Sequence, residues 1–192
     1  MQYLIGDINN YNDDEINTFY SKIYDIKKKR IIKFKSKERK KQAIISEILL
    51  CNLLKKNNID YSKLVFYENK NGKPFIKDKN IYFNISHKDQ YVVVVISNKP
   101  IGIDIEKVDN VNKNILNIIS NNDILNPTNK NITKLYALKE AFLKMKGLNF
   151  NNIKDSTFVI NKTIKCINDN INIKIINHNN YIISICEQKK EH

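Results

Sequence analysis

Hydrophobic and polar positions along the 192-residue chain predict short strands interleaved with a few amphipathic helices. Before residue 98 the predicted order is a strand, two helices and three strands, at 3–8, 13–30, 37–56, 64–67, 81–85 and 91–96. The helix at 37–56 is the clearest, because isoleucines and leucines recur at helical spacing on one face. Four consecutive valines at 92–95 favour a strand that is buried on both faces.

After a turn at residues 97–100, a similar order recurs. It comprises strand 100–106, helices 112–119 and 133–146, the latter stopped by Gly147, and strands 157–160, 171–176 and 181–186. The opening runs of both parts also look alike, LIGDI at 4–8 and IGIDI at 101–105. The pattern predicts an α+β fold of two similar halves, 1–98 and 99–192, related by duplication and with a ligand site in the cleft between them. Short strands before helices are common, so chance similarity is an equally open alternative.

The chain is strongly basic, with 33 Lys and Arg against 20 Asp and Glu, a formal net charge of +13 and a sequence pI near 9.5. This balance fits a solvated lysine-rich surface, a nucleic acid, an acidic protein partner or a phosphorylated small molecule. Lysine outnumbers arginine heavily, although bidentate recognition of bases and phosphates favours arginine. Charge alone leaves these alternatives open.

The three cysteines, Cys51, Cys166 and Cys186, are widely spaced and form no CxxC pair. Their pattern argues against a disulfide framework and a structural zinc site. No apolar run approaches the ~18–20 residues that span a bilayer, and residues 1–10 lack the pattern of a secretory signal. We therefore expect a cytoplasmic protein with no membrane partner.

The sharpest candidate for chemistry is the strand Gly102–Glu106, in which two carboxylates alternate with isoleucines. Asp104 and Glu106 project from one face, and Ile103 and Ile105 from the other. Neighbouring carboxylates repel each other, and a hard divalent cation such as Mg²⁺ would relieve that repulsion. The alternative is an edge strand with one solvated face.

A third carboxylate lies on the helix predicted at 133–146. Tyr136, Glu140 and Lys144 are spaced at i, i+4 and i+8 and therefore share one helix face. Taken alone, Glu140 and Lys144 are best explained as an ordinary surface ion pair, worth about 0.3–0.5 kcal/mol.

Residues 83–87, FNISH, predict a strand that runs into a polar turn. Neighbouring Ser86 and His87 are not expected to form a catalytic dyad, since adjacent side chains rarely face each other. The chain contains only four glycines, and none is arranged as a phosphate-binding loop.

Taken together, four blocks identify the chain's relatives. They are NGKP at 71–74, FNISH at 83–87, PIGIDIEK at 100–107 and KEAFLK at 139–144. In order and spacing they closely resemble the signature blocks of the 4′-phosphopantetheinyl transferases, in particular the larger, monomeric kind that activates surfactin synthetase. The resemblance extends over residues 1–158 in element order.

The resemblance implies a monomer of two similar α+β halves that transfers the phosphopantetheine arm of coenzyme A to a serine of an acyl or peptidyl carrier protein. The reaction requires Mg²⁺, with Mn²⁺ as the alternative, and releases 3′,5′-ADP. It serves fatty-acid, polyketide or nonribosomal peptide synthesis, and the sequence does not distinguish among these pathways.

The resemblance also assigns roles to single residues. The metal ligands are Asp104, Glu106 and Glu140, and the catalytic residues are Glu140 as general base together with Lys144 and Asp104. Contacts to coenzyme A are assigned to Lys27, Arg30, Lys73, Ser86, His87 and Lys144.

This chain departs from the family pattern at several positions. Tyr136 stands where the family carries a tryptophan, and we expect the aromatic packing to be kept. Neutral Gln42 stands where the family has an arginine that contacts coenzyme A, and Lys40 and Lys41 are the candidate substitutes. Asp123 matches a family acidic residue, although a helix-capping role explains it equally well.

Two other classes of function remain as alternatives. A basic nucleic-acid-binding module is suggested by the net charge, but no recognition motif or interleaved basic and aromatic pattern is evident. An inactive homologue that only binds coenzyme A or carrier proteins is the other.

If the chain is a transferase, its surplus positive charge could also steer an acidic carrier protein to the site.

Overall fold

The computed structural model describes residues 1–68, 74–76, 80–109, 114–121, 123–124, 127–160 and 164–189. It has a mixed α/β architecture, as predicted, built around two antiparallel three-stranded sheets. The first part contains β1 Gln2–Asp7, α1 Asp13–Lys22, α2 Asp25–Ile32, α3 Lys37–Lys56, β2 Phe66–Glu68, β3 Pro74–Ile76, β4 Tyr82–Lys88 and β5 Tyr91–Ser97. Its sheet has the order β1-β5-β4, and β2 pairs with β3 in a separate hairpin.

The second part follows the predicted turn at residues 97–100. It contains β6 Ile101–Lys107, α4 Ile115–Ile119, α5 Asn129–Lys146, β7 Phe158–Ile160, β8 Ile164–Cys166, β9 Ile171–His178 and β10 Tyr181–Gln188. Its main sheet has the order β6-β10-β9, while β7 and β8 form a hairpin. In each three-stranded sheet the last strand of its part is central, and α3 and α5 pack on the first and second sheets, respectively.

One long helix predicted at 13–30 is in fact two helices, α1 and α2. The chain is extended at Ile23 and Tyr24, where ψ is 142° and 143°. Ile23 is buried in the core of the first part, and the Tyr24 hydroxyl donates a hydrogen bond to the carbonyl oxygen of Tyr61. These long-range contacts break the helix at a place where the sequence has neither proline nor glycine.

The predicted polar turn at Ser86 and His87 is also corrected. Both residues lie within β4, where they are paired with Val93 and Val92 of β5. The turn comes later, at Asp89 and Gln90, and Asp89 adopts a positive φ of 48°. Pairing with the buried β5 therefore extends β4 past the point where its sequence becomes polar.

A shared apolar layer joins the two sheets. Its buried members come from β5, β6 and β10: Tyr91, Val93, Val95, Ile101, Ile103, Ile105, Tyr181, Ile183 and Ile185. At the edge of this layer the backbone N–H of Ile103 donates a hydrogen bond to Asn84 Oδ1. This contact lays β4 alongside β6, and the strands carrying FNISH and the two carboxylates become neighbours.

Among the described helices, none is both long and apolar enough to cross a membrane. All three cysteines are free thiols, and Cys186 is fully buried.

Candidate active site

The alternation predicted for β6 is confirmed. Ile103 and Ile105 point into the apolar layer between the sheets, while Asp104 and Glu106 share the opposite face. Although β6 lies at the edge of its sheet, Asp104 is only 4% exposed. A solvated edge strand therefore does not describe this carboxylate, whose burial must be offset by partners.

Those partners come from β4 and α5. The Lys144 ammonium lies 2.6 Å from Asp104 Oδ1 and donates a hydrogen bond of 3.0 Å to Ser86 Oγ. Ser86 in turn donates to Asp104 Oδ1 over 2.8 Å. Three residues that the sequence places on three elements thus form one polar cluster, and Lys144 is more than a helix-surface partner of Glu140.

The carboxylates of this cluster influence one another. Burial, followed by the charge of Asp104, raises the pKa of Glu140, and the same two causes raise the pKa of Glu106 against the opposing effect of Lys88. Burial and the charges of Glu140, Glu106 and Asp104 raise the pKa of Tyr136 to about 12. Tyr136 also packs against the core of the second part, so the aromatic packing expected at this position is kept.

Whether these side chains suit a metal ion can be judged from the unpaired atoms. Asp104 Oδ2 is buried and has no hydrogen-bond partner within the described residues. Such an oxygen, next to two repelling carboxylates, is a fitting ligand for a hard cation. Among the described residues, however, no three His, Cys, Asp or Glu side chains converge as a ready metal site. The assignment of Asp104, Glu106 and Glu140 as ligands therefore stays a prediction.

A cleft of about 170 Å³ lies between α2, α3 and β4. Its polar lining includes Lys27, Arg30, Arg39, Gln42, Glu68 and His87. Some of these charges are balanced internally. Lys27 is paired with Glu47 and its Nζ lies 3.5 Å from the centre of the Phe66 ring, whereas Arg30 Nη1 lies 3.5 Å from Glu68 Oε1.

Arg39 is a cleft residue that sequence reasoning missed. Its guanidinium donates to Gln42 Oε1 over 3.2 Å and lies 4.7 Å from the centre of the Phe34 ring. Gln42 is buried and held by the Asp89 carbonyl oxygen, to which its Nε2 donates over 2.7 Å. Burial and the nearby Arg30 lower the pKa of Arg39. The i, i+3 spacing of Arg39 and Gln42 on α3 was the available signal, since it places both on one helix face.

His87 links the cleft to the carboxylate cluster. Its pKa is lowered to about 4, first by burial and then by the positive charges of Arg39, Lys144 and Lys88. The imidazole is therefore neutral at pH 7, inside a field that favours an anion. Arg39 lies on the cleft side of His87 and Lys144 on the carboxylate side, so these residues form a cationic path along which a polyanionic ligand would meet a positive charge at each end.

Comparisons with known proteins agree with the family resemblance drawn from the four sequence blocks. The family described as "4'-phosphopantetheinyl transferase, N-terminal" matches residues 10–99. The 4'-phosphopantetheinyl transferase gsp of Aneurinibacillus migulanus is 29% identical over 140 residues, which cover 68% of this chain and 59% of that protein. The 4'-phosphopantetheinyl transferase Sfp of Bacillus subtilis is 28% identical over 146 residues, 71% of this chain and 65% of the relative.

These similarities support a place for the chain in the 4′-phosphopantetheinyl transferase superfamily. The aligned part spans less than two thirds of either relative.

One departure from the family pattern lies in the cleft. At the position expected to be basic, Gln42 accepts a hydrogen bond from Arg39, so the positive charge comes from one turn earlier on α3. The candidate substitutes Lys40 and Lys41 do not line the cleft. Lys73, the remaining residue assigned to coenzyme A, lies outside the described residues.

Asp123 lies away from the cluster, in the core of the second part. Its carboxylate accepts the backbone N–H groups of Asn121 and Phe158 and lies 3.6 Å from the fully buried Lys139 ammonium. The N-cap of α5 is Thr128 instead. Asp123 therefore fixes the segment around residue 158 to α5 and does not cap that helix.

Proposed function

We propose that this protein transfers the 4′-phosphopantetheine arm of coenzyme A to the hydroxyl group of a carrier-protein serine and releases 3′,5′-ADP. The observation that carries the proposal is the contact of Asp104 with Lys144 and Ser86, at the end of a cationic path that begins at Arg39. Similarity to 4′-phosphopantetheinyl transferases supports the type of reaction, which is the activity that the names of both relatives state.

The proposed coenzyme A site is the cleft between α2, α3 and β4, continued toward Lys144. Arg30 and Arg39 are suited to the phosphate on the ribose, since both line the cleft and Arg39 is already oriented by Gln42. Ser86, His87 and Lys144 lie further along and are suited to the diphosphate. A charged ligand binds more tightly where its partners are fixed beforehand.

The proposed division of labour follows the two parts of the chain. Residues 1–98 contact coenzyme A through the cleft residues, and 99–192 supply the carboxylates and Lys144. Duplication of an ancestral half is supported by the equivalent strand orders β1-β5-β4 and β6-β10-β9. The reacting atoms would then lie between the two parts, beside the Ser86–Asp104 hydrogen bond.

The proposed chemistry uses Glu140 as the proton acceptor. The serine oxygen of the carrier forms a bond to the phosphorus atom attached to the pantetheine arm, while the bond from that phosphorus to the oxygen of 3′,5′-ADP breaks. Glu140 takes the serine proton, because a carboxylate within reach of the attacking hydroxyl can accept it directly or through a water. Lys144 stabilises the negative charge that develops on the departing phosphate.

Asp104, Glu106 and Glu140 are the residues that would hold Mg²⁺ in this proposal. When bound, the ion would neutralise charge on the diphosphate and orient it. Asp104 is suited to this role because its Oδ2 is buried and accepts no hydrogen bond from the part of the chain that the structure describes.

Intact-mass measurement of an apo carrier protein tests the proposal. Incubation with the enzyme, coenzyme A and Mg²⁺ should add about 340 Da, the mass of the transferred group. A panel of fatty-acid, polyketide and peptide carriers would also identify the pathway. Glu140→Gln should slow the transfer by about 100-fold or more because it removes a general base. Exposed Glu38→Gln is the matched control and should leave the rate unchanged.

The result on the whole panel separates the alternatives. Absence of the added mass on every carrier contradicts the proposal. If coenzyme A nevertheless binds, the protein is the inactive homologue. Salt-dependent binding to nucleic acid without carrier modification would instead favour the nucleic-acid-binding alternative.

A further inference from the structure

Two of the three proposed metal ligands are paired with a lysine. Asp104 Oδ1 lies 2.6 Å from Lys144 Nζ, and Glu106 Oε2 lies 2.7 Å from Lys88 Nζ. Lys144 comes from α5 and Lys88 from β4, so the ammonium groups approach the two carboxylates from different elements. Each pair occupies a carboxylate oxygen that a cation would need.

These pairs also account for the open arrangement of the cluster. A carboxylate paired with its own lysine needs no shared cation to offset its charge, and no three acidic side chains of the described residues converge as a metal site. Repulsion among the carboxylates is reduced instead by two monovalent charges. A divalent ion would have to compete with those charges for the same oxygens.

We propose that Lys88 is an internal counter-ion of the metal site, which holds Glu106 in the metal-free protein and is exchanged for the divalent cation. The inference rests on the proposed function, because it takes Glu106 as a metal ligand. It adds that Lys88 lowers the affinity of the free protein for the cation. Lys88 is thus a positioning residue, and its effect on the metal site is exerted through Glu106.

Lys88 suits this test better than Lys144. Lys144 belongs to the proposed catalytic machinery and also contacts Ser86. The Lys88 side chain is 42% exposed, and backbone pairing of β4 with β5 does not depend on it. Replacement by methionine therefore removes the charge without opening a cavity, and Lys88→Gln provides a second variant with the same charge change.

The experiment measures binding of Mn²⁺ to the protein without coenzyme A, by the electron paramagnetic resonance signal of free Mn²⁺. Mn²⁺ accepts the oxygen ligands that Mg²⁺ uses and is directly visible. Lys88→Met and Lys88→Gln should lower the Kd by about three- to tenfold, because a competing ammonium and its repulsion of the cation are removed. Lys88→Arg should restore the wild-type Kd within about twofold.

Lys107→Met is the matched control. Lys107 lies next to Glu106 on β6, but its ammonium faces Asp89 and Asp109. If the contact between Lys88 and Glu106 is what weakens Mn²⁺ binding, Lys107→Met should leave the Kd for Mn²⁺ unchanged within about twofold. An equal gain from Lys107→Met would show a general field effect and would overturn the proposal.

Other outcomes are equally decisive. Unchanged or weaker Mn²⁺ binding by both Lys88 variants overturns the counter-ion role, even if carrier proteins are still modified. Failure of every protein to bind Mn²⁺ also overturns it. Failure of the proposed function would instead be seen as an unmodified carrier, so the two results are distinguishable.

Discussion

A Cβ atom on Gly102 would lie 2.0 Å from the carbonyl oxygen of Ala141 and 2.5 Å from the backbone nitrogen of Met145. Both atoms belong to the backbone of α5, so neither can move aside as a side chain would. Glycine is therefore what allows β6 to pack directly on the helix that carries Glu140 and Lys144. We expect Gly102→Ala to lower the free energy of unfolding by about 3 kcal/mol or more, measured by urea denaturation.

Gly6→Ala in β1 is the control for this prediction. A Cβ at Gly6 would lie 3.0 Å from Leu49 Cδ1, the end of a side chain that can adjust. Gly6→Ala should therefore lower the free energy of unfolding by only about 1 kcal/mol. Equal losses for the two variants would contradict the assignment of a backbone clash at Gly102.

Arg39 should strengthen the binding of coenzyme A. Its guanidinium is held by Gln42 and lies over Phe34, within the cleft that also contains Arg30. Removal of one oriented phosphate partner should raise the Kd about tenfold, which corresponds to roughly 1.4 kcal/mol. Titration calorimetry of Arg39→Met with coenzyme A measures this change.

Lys41→Met provides the comparison on the same helix. Lys41 carries the same charge but does not line the cleft. Its Kd should remain within about twofold of wild type at physiological salt, where distant surface charges are screened. A tenfold loss in Lys41→Met with no loss in Arg39→Met would return the role to the lysines that the sequence suggested.

Acid should destabilise the protein partly through His87. The folded-state pKa of about 4 lies below the ordinary value of 6.5. The folded state therefore resists protonation, and stability should fall as the pH drops from about 6.5 toward 4, with no contribution from this group above that range. At pH 5 the effect should be about 1–2 kcal/mol after allowance for solvent screening.

His87→Gln should therefore lose less stability than wild type between pH 7 and pH 5. Chemical denaturation at both values measures the difference. Parallel NMR titration of the imidazole should show its pKa rising when coenzyme A binds, since the ligand's negative charge opposes that of the surrounding cations. An unchanged imidazole pKa in saturated protein would exclude His87 from the ligand's surroundings.

The buried Lys139–Asp123 pair should be important for stability. The Lys139 ammonium donates hydrogen bonds to the carbonyl oxygens of Ile153, at 3.2 Å, and Ser156, at 2.7 Å. Lys139→Met would leave the Asp123 charge buried without its cation. We expect a loss of about 3–5 kcal/mol in the free energy of unfolding, measured by urea denaturation.

A double variant separates the charge from the rest of the contact. Adding Asp123→Asn to Lys139→Met removes the unpaired charge and should recover part of the loss. No recovery would mean that the hydrogen bonds to the two carbonyl groups account for the whole effect.

The sequence predicted the strand and helix of the candidate site well, because each has a strong periodic pattern. Alternation placed Asp104 and Glu106 on one face of β6, and four-residue spacing placed Glu140 and Lys144 on one face of α5. The helix at 37–56 was predicted with the bounds that the structure shows. These features depend on local geometry and on the burial of one face.

Features that depend on distant contacts were missed. The pairing of Lys88 with Glu106 requires β4 and β6 to be neighbours, and sequence distance gives no sign of that. The break at Ile23 arises from core burial, and the short strands Pro74–Ile76 and Ile164–Cys166 exist only through their hairpin partners. None of these has a local signal strong enough to compete with the surrounding pattern.

Because of the apolar layer between the two sheets, a cut at the turn of residues 97–100 would not give two fragments that fold independently. A fragment ending there would expose Val93 and Val95, and its complement would expose Ile103, Ile183 and Ile185. Neither fragment could bury these side chains without the other, and each would tend to aggregate. The molecule is therefore expected to melt in a single cooperative transition. Two fragments made separately would regain structure only when they associate. This dependence is what a split reporter requires, so the turn is a suitable split site for a complementation assay.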